Sequence, residues 1–206
     1  MHVTFPPKEV YFLMFKTTTR LVAAGLMAAT LAAPALAQQK LVPAQSSIHF
    51  VSKQMGVPVE GHFGKFDAQI AFDPAKPETA KIAFTVDTGS ATLGVKETDA
   101  ELPKPTWFNV AKFPQATFQS TRVKALGGGK FEVAGQLAIK GQSQAVTVPV
   151  ALTQSGQLTT ATGSFTIQRL AFKIGEGEWA DTAMVADDVQ VRFKLSLSGV
   201  NPLPAK

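Results

Sequence analysis

Apolar and polar residues alternate with a period of two along most of the chain. In segment 189–197 every odd position is Val, Phe or Leu, and the positions between them are Gln, Arg, Lys and Ser. This period is typical of a β-strand with one apolar and one solvated face. It recurs in segments 66–72, 80–86, 131–139 and 146–152. Because each strand must bury its apolar face, the pattern predicts an all-β domain around one interior.

Turn residues divide the alternating segments into eight predicted strands. Turns that contain Gly, Asp or Pro between them are typical of hairpins, and consecutive hairpins favour an antiparallel meander. Eight such strands can close into a barrel that has no free edges. The fold prediction is therefore an eight-stranded antiparallel barrel with an irregular or helical excursion over residues 88–114. The predicted strands are 47–53, 57–73, 79–87, 115–124, 129–140, 144–154, 157–168 and 187–198.

The first 37 residues have the features of an export signal. A short basic segment follows Met14, residues 21–31 are apolar, and Ala35-Leu36-Ala37 is a small-x-small cleavage site. The apolar run is shorter than the roughly 20 residues that span a membrane. We expect translation to start at Met14, the mature chain to begin at Gln38, and the protein to reside in the bacterial periplasm. Residues 38–206 then form one domain.

The composition of the mature chain excludes some classes of partner. Residues 38–206 carry 17 basic and 14 acidic side chains in no continuous stripe, a net charge of +3 that argues against nucleic acid. The chain has no cysteine. After residue 37 the chain keeps twelve of its 15 Phe residues and has neither a Tyr nor a Cys. Aromatic rings without polar groups favour a dry interior lining.

The inward phase of the strands gives a set of candidate ligand-binding residues. An eight-stranded barrel is either filled by its own side chains or hollow enough for one small ligand, and periodicity does not decide between the two. The candidates are Phe50, Phe66, Ile70, Ile82, Phe84, Val86, Trp107, Phe108, Phe118, Phe131, Val133, Leu137, Val146, Val148, Val150, Phe165, Arg169, Phe172, Val191 and Phe193.

The excursion 88–114 is predicted to seal or gate the interior. Acidic residues followed by Leu102-Pro103 suggest a short helix that stops before the proline. Trp107, Phe108 and Phe113 then supply apolar bulk outside the strands. The bulk could act as a plug at one end or as a lid for a chain-like ligand, and both interpretations stand at this point.

Few polar residues are candidates for chemistry. His49 alternates with apolar neighbours and should face outward, and no Cys or acidic motif has metal-ligand spacing. No Gly-x-Ser-x-Gly elbow with a matching His is present. Arg169 continues the inward series of Phe165 and Ile167 and needs a partner there. An ion pair with Asp99, Glu101 or Asp181 is the favoured interpretation, and a ligand head group is the alternative.

Several motifs occur in a characteristic order. They are Gly61-x-Phe63-x-x-Phe66, Ser90-Ala-Thr-x-Gly94, Glu97-x-Asp99-x-x-Leu102-Pro103, Trp107-Phe108-Asn109-Val110, Phe113-Pro114-x-Ala-Thr117-Phe118-x-Ser120, Gly135-x-Leu-x-Ile-Lys-Gly141 and Arg169-x-x-Phe172-x-Ile174-Gly175-x-Gly-x-Trp179. Over nearly the whole mature chain they resemble the YceI-like family of periplasmic lipid-binding proteins. The resemblance implies a lipocalin-like barrel that encloses a polyisoprenoid or similar apolar chain. Asn109 and Ser46 stand where the family commonly has Asp and His.

These observations lead to a functional hypothesis. The protein is expected to be a non-enzymatic carrier of a long apolar lipid (a polyisoprenoid, an isoprenoid quinone or a fatty-acid-like chain), with no metal or other cofactor. Expected partners beyond the ligand are a membrane or a membrane redox protein in transient contact, and a second copy in a homodimer. The alternatives are a filled barrel with an interaction role and an enzyme acting on isoprenoid or quinone substrates.

Overall fold

The computed structural model describes residues 39–204. The predicted start at Met14, the signal segment and the mature start at Gln38 lie outside the described residues. Within residues 39–204 the chain is all-β, as predicted, and every strand pairing is antiparallel. The strands are β1 Lys40–Leu41, β2 Ser47–Gln54, β3 Val57–Phe63, β4 Phe66–Ala71, β5 Lys81–Asp87, β6 Ala91–Thr92, β7 Gln115–Gly127, β8 Lys130–Ile139, β9 Gln142–Ser155, β10 Leu158–Gln168 and β11 Asp188–Ser198.

One sheet contains all eleven strands, and its order forces a strong curl. The order is β4-β5-β7-β8-β9-β10-β11-β2-β3-β6, with β1 paired to β11. Laid flat, the path from β4 to β3 would be about 38 Å wide at about 4.8 Å per strand. Yet β4 follows β3 after only Gly64 and Lys65, a link that reaches about 11 Å at most. The sheet must therefore curl until β3 and β4 meet at this corner. The end strands of the order, β4 and β6, are not paired with each other, so the predicted closed barrel is instead a strongly curled half-barrel.

The predicted number of eight strands is wrong, because the predicted strand 57–73 is two strands. The chain turns at Gly64–Lys65, where Gly64 N donates to Ser90 O and Lys65 N donates to Ser90 Oγ, each at 3.0 Å. These bonds replace strand pairing, so β3 and β4 pair with different neighbours. The short strands β1 and β6 have too few residues to show a period of two.

The excursion between β5 and β7 is mostly turns. A short α-helix, α1, covers Lys96–Asp99 and ends before Pro103, as predicted. Asp99 joins α1 to β6, because its carboxylate accepts hydrogen bonds from Thr92 Oγ1 at 2.5 Å and from Leu93 N at 2.6 Å. These two bonds, the side-chain bond first, lower the pKa of Asp99 below its usual value.

Three glycines leave room for Phe rings to lie flat on the inner face of the sheet. A Cβ built on Gly61, Gly135 or Gly163 would come within 2.5 Å of a ring carbon of Phe50, Phe118 or Phe193, respectively. Each ring therefore lies over the glycine of a neighbouring strand. This aromatic-on-glycine arrangement is known to fix strand register. It also keeps three large side chains close to the wall of the interior.

Candidate binding cavity

The curled sheet encloses a cavity with an almost wholly apolar wall. Its volume, measured for the centre of a water-sized sphere, is about 260 Å³. One water molecule needs only about 10–15 Å³ on this measure. The interior of the sheet is therefore hollow, which answers the question that periodicity left open.

Most of the predicted binding residues line this cavity. Seventeen of the twenty do so: Phe50, Ile70, Ile82, Phe84, Val86, Trp107, Phe108, Phe118, Phe131, Val133, Leu137, Val148, Val150, Phe165, Arg169, Val191 and Phe193. Their position in the wall is a property of the fold, and their contact with a ligand stays a prediction.

Three predicted binding residues lie elsewhere. Phe66 follows the corner and lines a separate surface depression that also contains His49 and His62. Phe172 is 2% exposed and packs in the core behind the cavity wall. Val146 is half-buried and is absent from the wall. A period of two assigns a residue to a face of the sheet but does not say where along the strand the cavity ends.

Fifteen further wall residues were not among the twenty candidates, although most of them carry a signal in the sequence. Ile139, Leu152 and Leu195 continue the inward phase of β8, β9 and β11. The predicted alternating segments 131–139, 146–152 and 189–197 already contain them, although the candidate binding residues did not include them. Leu102 and Ile174 carry no such signal, because they lie in irregular segments.

One end of the cavity is closed by residues from outside the strands. We call this the capped end and define it by Leu102, Trp107, Phe108, Arg169 and Ile174, all of which line the cavity. The Phe108 ring is 6.0 Å from that of Phe63, edge to face, and the Trp107 ring is 5.7 Å from that of Trp179. The excursion therefore contributes three side chains to this end of the wall, and its roles as plug and as lid both stay predictions.

Arg169 organises the capped end and makes no ion pair with Asp99, Glu101 or Asp181. It is 2% exposed, and all five of its N–H donors bond to backbone carbonyls at 2.7–3.1 Å. Burial lowers the pKa of Arg169 from its usual value, and the charge of Asp187 opposes that shift. The five acceptors are the carbonyl oxygens of Ile174, Gly175, Trp179, Val185 and Ala186.

The favoured interpretation of Arg169 was therefore wrong, for a reason that sequence spacing does not show. The segment 169–187 wraps around the guanidinium and offers it carbonyl oxygens in place of a carboxylate. Because a guanidinium has five N–H donors in total, Arg169 has none left for a ligand head group. Arg169 therefore lines the cavity without a free hydrogen-bond donor.

The other polar candidates lie away from the cavity. His49 is partly exposed, as predicted, with its Nδ1 3.5 Å from Glu60 Oε1. Glu101 forms an exposed ion pair with Lys104. Among residues 39–204, no cluster of three or more His, Cys, Asp or Glu side chains could hold a metal ion. In the same residues, no helix has the length and apolar character that a membrane crossing requires.

The two departures from the family pattern have structural roles. Asn109 has a φ of +51°, a left-handed conformation that Asn tolerates better than most residues. The Ser46 hydroxyl donates to Val42 O at 2.8 Å and accepts from Ser196 N at 2.9 Å. Neither residue lines the cavity.

Solved structures share this fold. The structure of Burkholderia cenocepacia BcnA superposes with a TM-score of 0.74 and is 45% identical, covering 76% of this chain and 98% of that one. A polyisoprenoid binding domain from Saccharophagus degradans has a TM-score of 0.64 at 16% identity, covering 78% of this chain and 98% of that domain. At that identity the likeness concerns the fold alone.

Sequence relatives give the same assignment. A UPF0312 protein from Yersinia pestis is 38% identical over 110 residues, which are 53% of this chain and 57% of that protein. A UPF0312 protein from Vibrio cholerae is 32% identical over 115 residues, or 55% and 61% of the two chains. The match therefore spans little more than half the length of these curated relatives. Residues 39–197, nearly the whole described part, match the YceI-like domain, and the chain belongs to the YceI-like family.

Proposed function

We propose that this protein binds and carries a long apolar lipid inside the curled sheet. The observation that carries the proposal is the cavity of about 260 Å³, whose wall is apolar apart from a few side chains. A hydrocarbon chain that binds against such a wall is removed from water, and each buried CH₂ group contributes roughly 0.8 kcal/mol to binding. A long, thin apolar molecule such as a polyisoprenoid, an isoprenoid quinone or a fatty-acid-like chain fits this wall.

Family membership supports the same class of ligand. The Saccharophagus degradans domain is described as a polyisoprenoid binding domain, and its fold matches that of this chain. At roughly 0.3 kcal/mol per non-hydrogen atom, a chain of about 40 carbons would gain about 12 kcal/mol on binding. That free energy corresponds to a dissociation constant near the nanomolar range. Apolar burial alone is therefore sufficient for stable carriage.

The proposal includes no bond-making step. The cavity wall contains no acid, histidine or cysteine, and its one charged residue, Arg169, has all five donors occupied. Proton transfer needs a titratable group within hydrogen-bond reach of the substrate. An enzyme acting on isoprenoid or quinone substrates is the alternative, and turnover of an added quinone would favour it.

Organic extraction of the purified protein, followed by mass spectrometry, tests the proposal directly. We expect one lipid per protein molecule, with a long apolar chain. Protein that carries no lipid, and that takes up none from vesicles containing isoprenoid quinone, would instead favour an interaction role for the domain.

The capped end gives a prediction about ligand release. Replacing Trp107 and Phe108 together by Ala removes several hundred Å² of apolar contact, by typical aromatic areas of roughly 150–250 Å² each. If the pair retains the ligand, the double variant should release lipid faster while its strand content stays intact. The lipid off-rate and the melting temperature are measured side by side.

The plug interpretation gives the opposite order of effects. Stability would then fall by roughly 3–5 kcal/mol per large aromatic side chain, and release would follow only from unfolding. Trp179→Ala is the matched control, because the Trp179 ring contacts that of Trp107 at a tilt of 49° but does not line the cavity. An unchanged off-rate in a folded double variant would remove Trp107 and Phe108 from the binding site.

Export to the periplasm is part of the proposal and has its own test. Cleavage after Ala37 would leave Gln38 as the first residue. The intact mass of protein from the periplasmic fraction should match a chain that begins at Gln38, with or without cyclisation to pyroglutamate. Soluble protein that keeps residues 14–37 would contradict the proposed location.

A carrier must also collect and deliver its ligand, so we include transient contact with a membrane or a membrane redox protein. Met55, Val57 and Met184 are exposed apolar side chains, at 79%, 63% and 46%. Met55 N donates to Met184 O at 2.8 Å, so the hairpin that joins β2 to β3 lies next to the loop of Met184. The three side chains are candidates for that contact. Self-association into a homodimer is a further proposal, and it is tested by the solution mass.

A further inference from the structure

Two buried polar atoms in the cavity wall have no hydrogen-bond partner among residues 39–204. They are the hydroxyl oxygen of Ser52 and the indole Nε1 of Trp107. Both residues line the cavity, whose wall is otherwise apolar except at Arg169. A buried polar group without a partner costs roughly 1–3 kcal/mol, so an atom that completes these bonds would be bound favourably.

Trp107 lies beside the Arg169 assembly. A Cβ built on Gly175 would come 2.4 Å from Arg169 Nη1 and 3.4 Å from Trp107 Cη2, so both side chains lie against the same glycine. The Trp107 ring also lies 5.7 Å from the ring of Trp179, and the carbonyl oxygen of Trp179 accepts from Arg169 Nη2 at 2.7 Å.

Ser52 lies at the same end of the cavity. The next residue, Lys53, accepts a hydrogen bond from Ala186 N at 2.9 Å, and Ala186 O accepts from Arg169 Nε at 3.1 Å. The strand register agrees, because Val51 pairs with Gln190, and the core at the capped end includes Val189. Ser52 and Trp107 therefore belong to one end of an otherwise hydrocarbon-like cavity.

The donors at this end restrict the charge of a matching head group. In the cavity wall Arg169 has no free N–H, and Lys140, whose buried ammonium donates to Lys173 O and Glu176 Oε2, does not line the cavity. Two neutral donors remain, the Ser52 hydroxyl and the Trp107 indole N–H. A buried phosphate or carboxylate needs charge pairing that these groups do not offer. A carbonyl, ether or hydroxyl oxygen needs only one or two such donors.

We propose that the capped end is a head-group subsite in which Ser52 and Trp107 donate hydrogen bonds to a neutral acceptor of the ligand. This inference rests on the proposed lipid-binding function and narrows its ligand to an amphiphile with an uncharged oxygen at one end. The apolar chain occupies the rest of the cavity, between the Phe rings that lie on Gly61, Gly135 and Gly163. Ser52 and Trp107 then determine which lipids are preferred, while the wall determines how tightly any lipid is held.

The test compares two probes that differ at one atom group. Phytone, an isoprenoid methyl ketone, becomes pristane when its carbonyl oxygen is replaced by a methyl group. Each labelled probe is partitioned between delipidated protein and phosphatidylcholine vesicles. Ser52→Ala should weaken phytone retention by roughly 5- to 30-fold and leave pristane retention within about twofold. Trp107→Phe also removes apolar ring area, so it should weaken retention of both probes, and that of phytone by the larger factor. Phytanic acid, whose carboxylate is charged at pH 8, should bind the wild-type protein more weakly than phytone.

Control variants and the melting temperature distinguish a head-group subsite from a purely structural role of Ser52 and Trp107. Trp179→Phe and Ser164→Ala change the same residue types outside the cavity wall and should alter neither probe. The ligand-free Ser52→Ala variant should melt no lower than wild type, because the removed hydroxyl had no partner. Trp107→Phe also removes packed ring atoms, so its effect is judged by the ratio of phytone to pristane retention. Equal loss of both probes, or unchanged phytone retention, would overturn the subsite and show a packing role or a water-filled site. Failure of the wild-type protein to retain either probe would instead overturn the proposed function itself.

Discussion

Arg169→Met is expected to destabilise the folded protein by about 4 kcal/mol or more. The substitution removes all five bonds from the guanidinium to the carbonyl oxygens of the segment 174–186. Each carbonyl left buried without a donor costs about 1–3 kcal/mol. In the native protein, burial of the guanidinium lowers the pKa of Arg169. The variant no longer buries this charge, but that gain offsets only part of the cost of the unpaired carbonyl groups.

Denaturant unfolding of the variant and of two controls measures this effect. Arg192→Met changes the same residue type at an exposed position bonded only to Gln190, and should stay within about 0.5 kcal/mol of wild type. Arg169→Lys keeps the charge but has three donors in place of five, so it should recover part of the loss. A free energy of unfolding for Arg169→Met within about 1 kcal/mol of wild type would mean that the segment has another support.

The contrast between Arg169 and its sequence neighbours shows what periodicity can predict. Its inward position follows from counting by two from Phe165 and Ile167, and the structure confirms that it lines the cavity. Its bonding partners do not follow, because carbonyl oxygens are present at every residue and carry no sequence signal. Only the path of the irregular segment 170–187 determines which of them meet the guanidinium.

The corner at Gly64–Lys65 is a similar case for the fold. The alternation of apolar residues shifts at Gly64–Lys65 from odd positions in β3 to even positions in β4, and the prediction of a single strand ran across this shift. The turn depends on hydrogen bonds to Ser90, a residue 25 positions away, and that contact exists only once the sheet has curled. Local patterns therefore predicted the class, the antiparallel order and the inner face, whereas the strand number depended on a long-range contact.

The hollow interior was also beyond local prediction, although its cause is visible in the sequence. Gly61, Gly135 and Gly163 share the inward phase with Phe residues of neighbouring strands. A glycine opposite a Phe lets the ring lie on the sheet, and a larger residue would push the ring across the interior. Recognising the pairs requires the strand register, which the sequence did not supply residue by residue.

Val148→Asp is expected to abolish lipid retention and to destabilise the protein by about 4 kcal/mol at pH 7. Val148 is 5% exposed and lines the cavity. A carboxylate there loses its hydration and has no cation with a free donor nearby, so burial should raise its pKa by about three units, at 1.36 kcal/mol each. The neighbouring Thr147 faces the solvent, so Thr147→Asp should change stability by less than about 0.5 kcal/mol.

The pH dependence of the Val148→Asp variant identifies the charge as the cause. Because its folded-state pKa lies above the unfolded value of about 3.9, the native protein binds the extra proton between the two values, and stability falls as the pH rises through that window. Lowering the pH from 7 towards 4 should therefore restore much of the loss relative to wild type. Val148→Asn, a neutral control, should show a penalty that does not change with pH. Equal penalties for Val148→Asp and Thr147→Asp would show that the inner and outer faces of β9 are wrongly assigned.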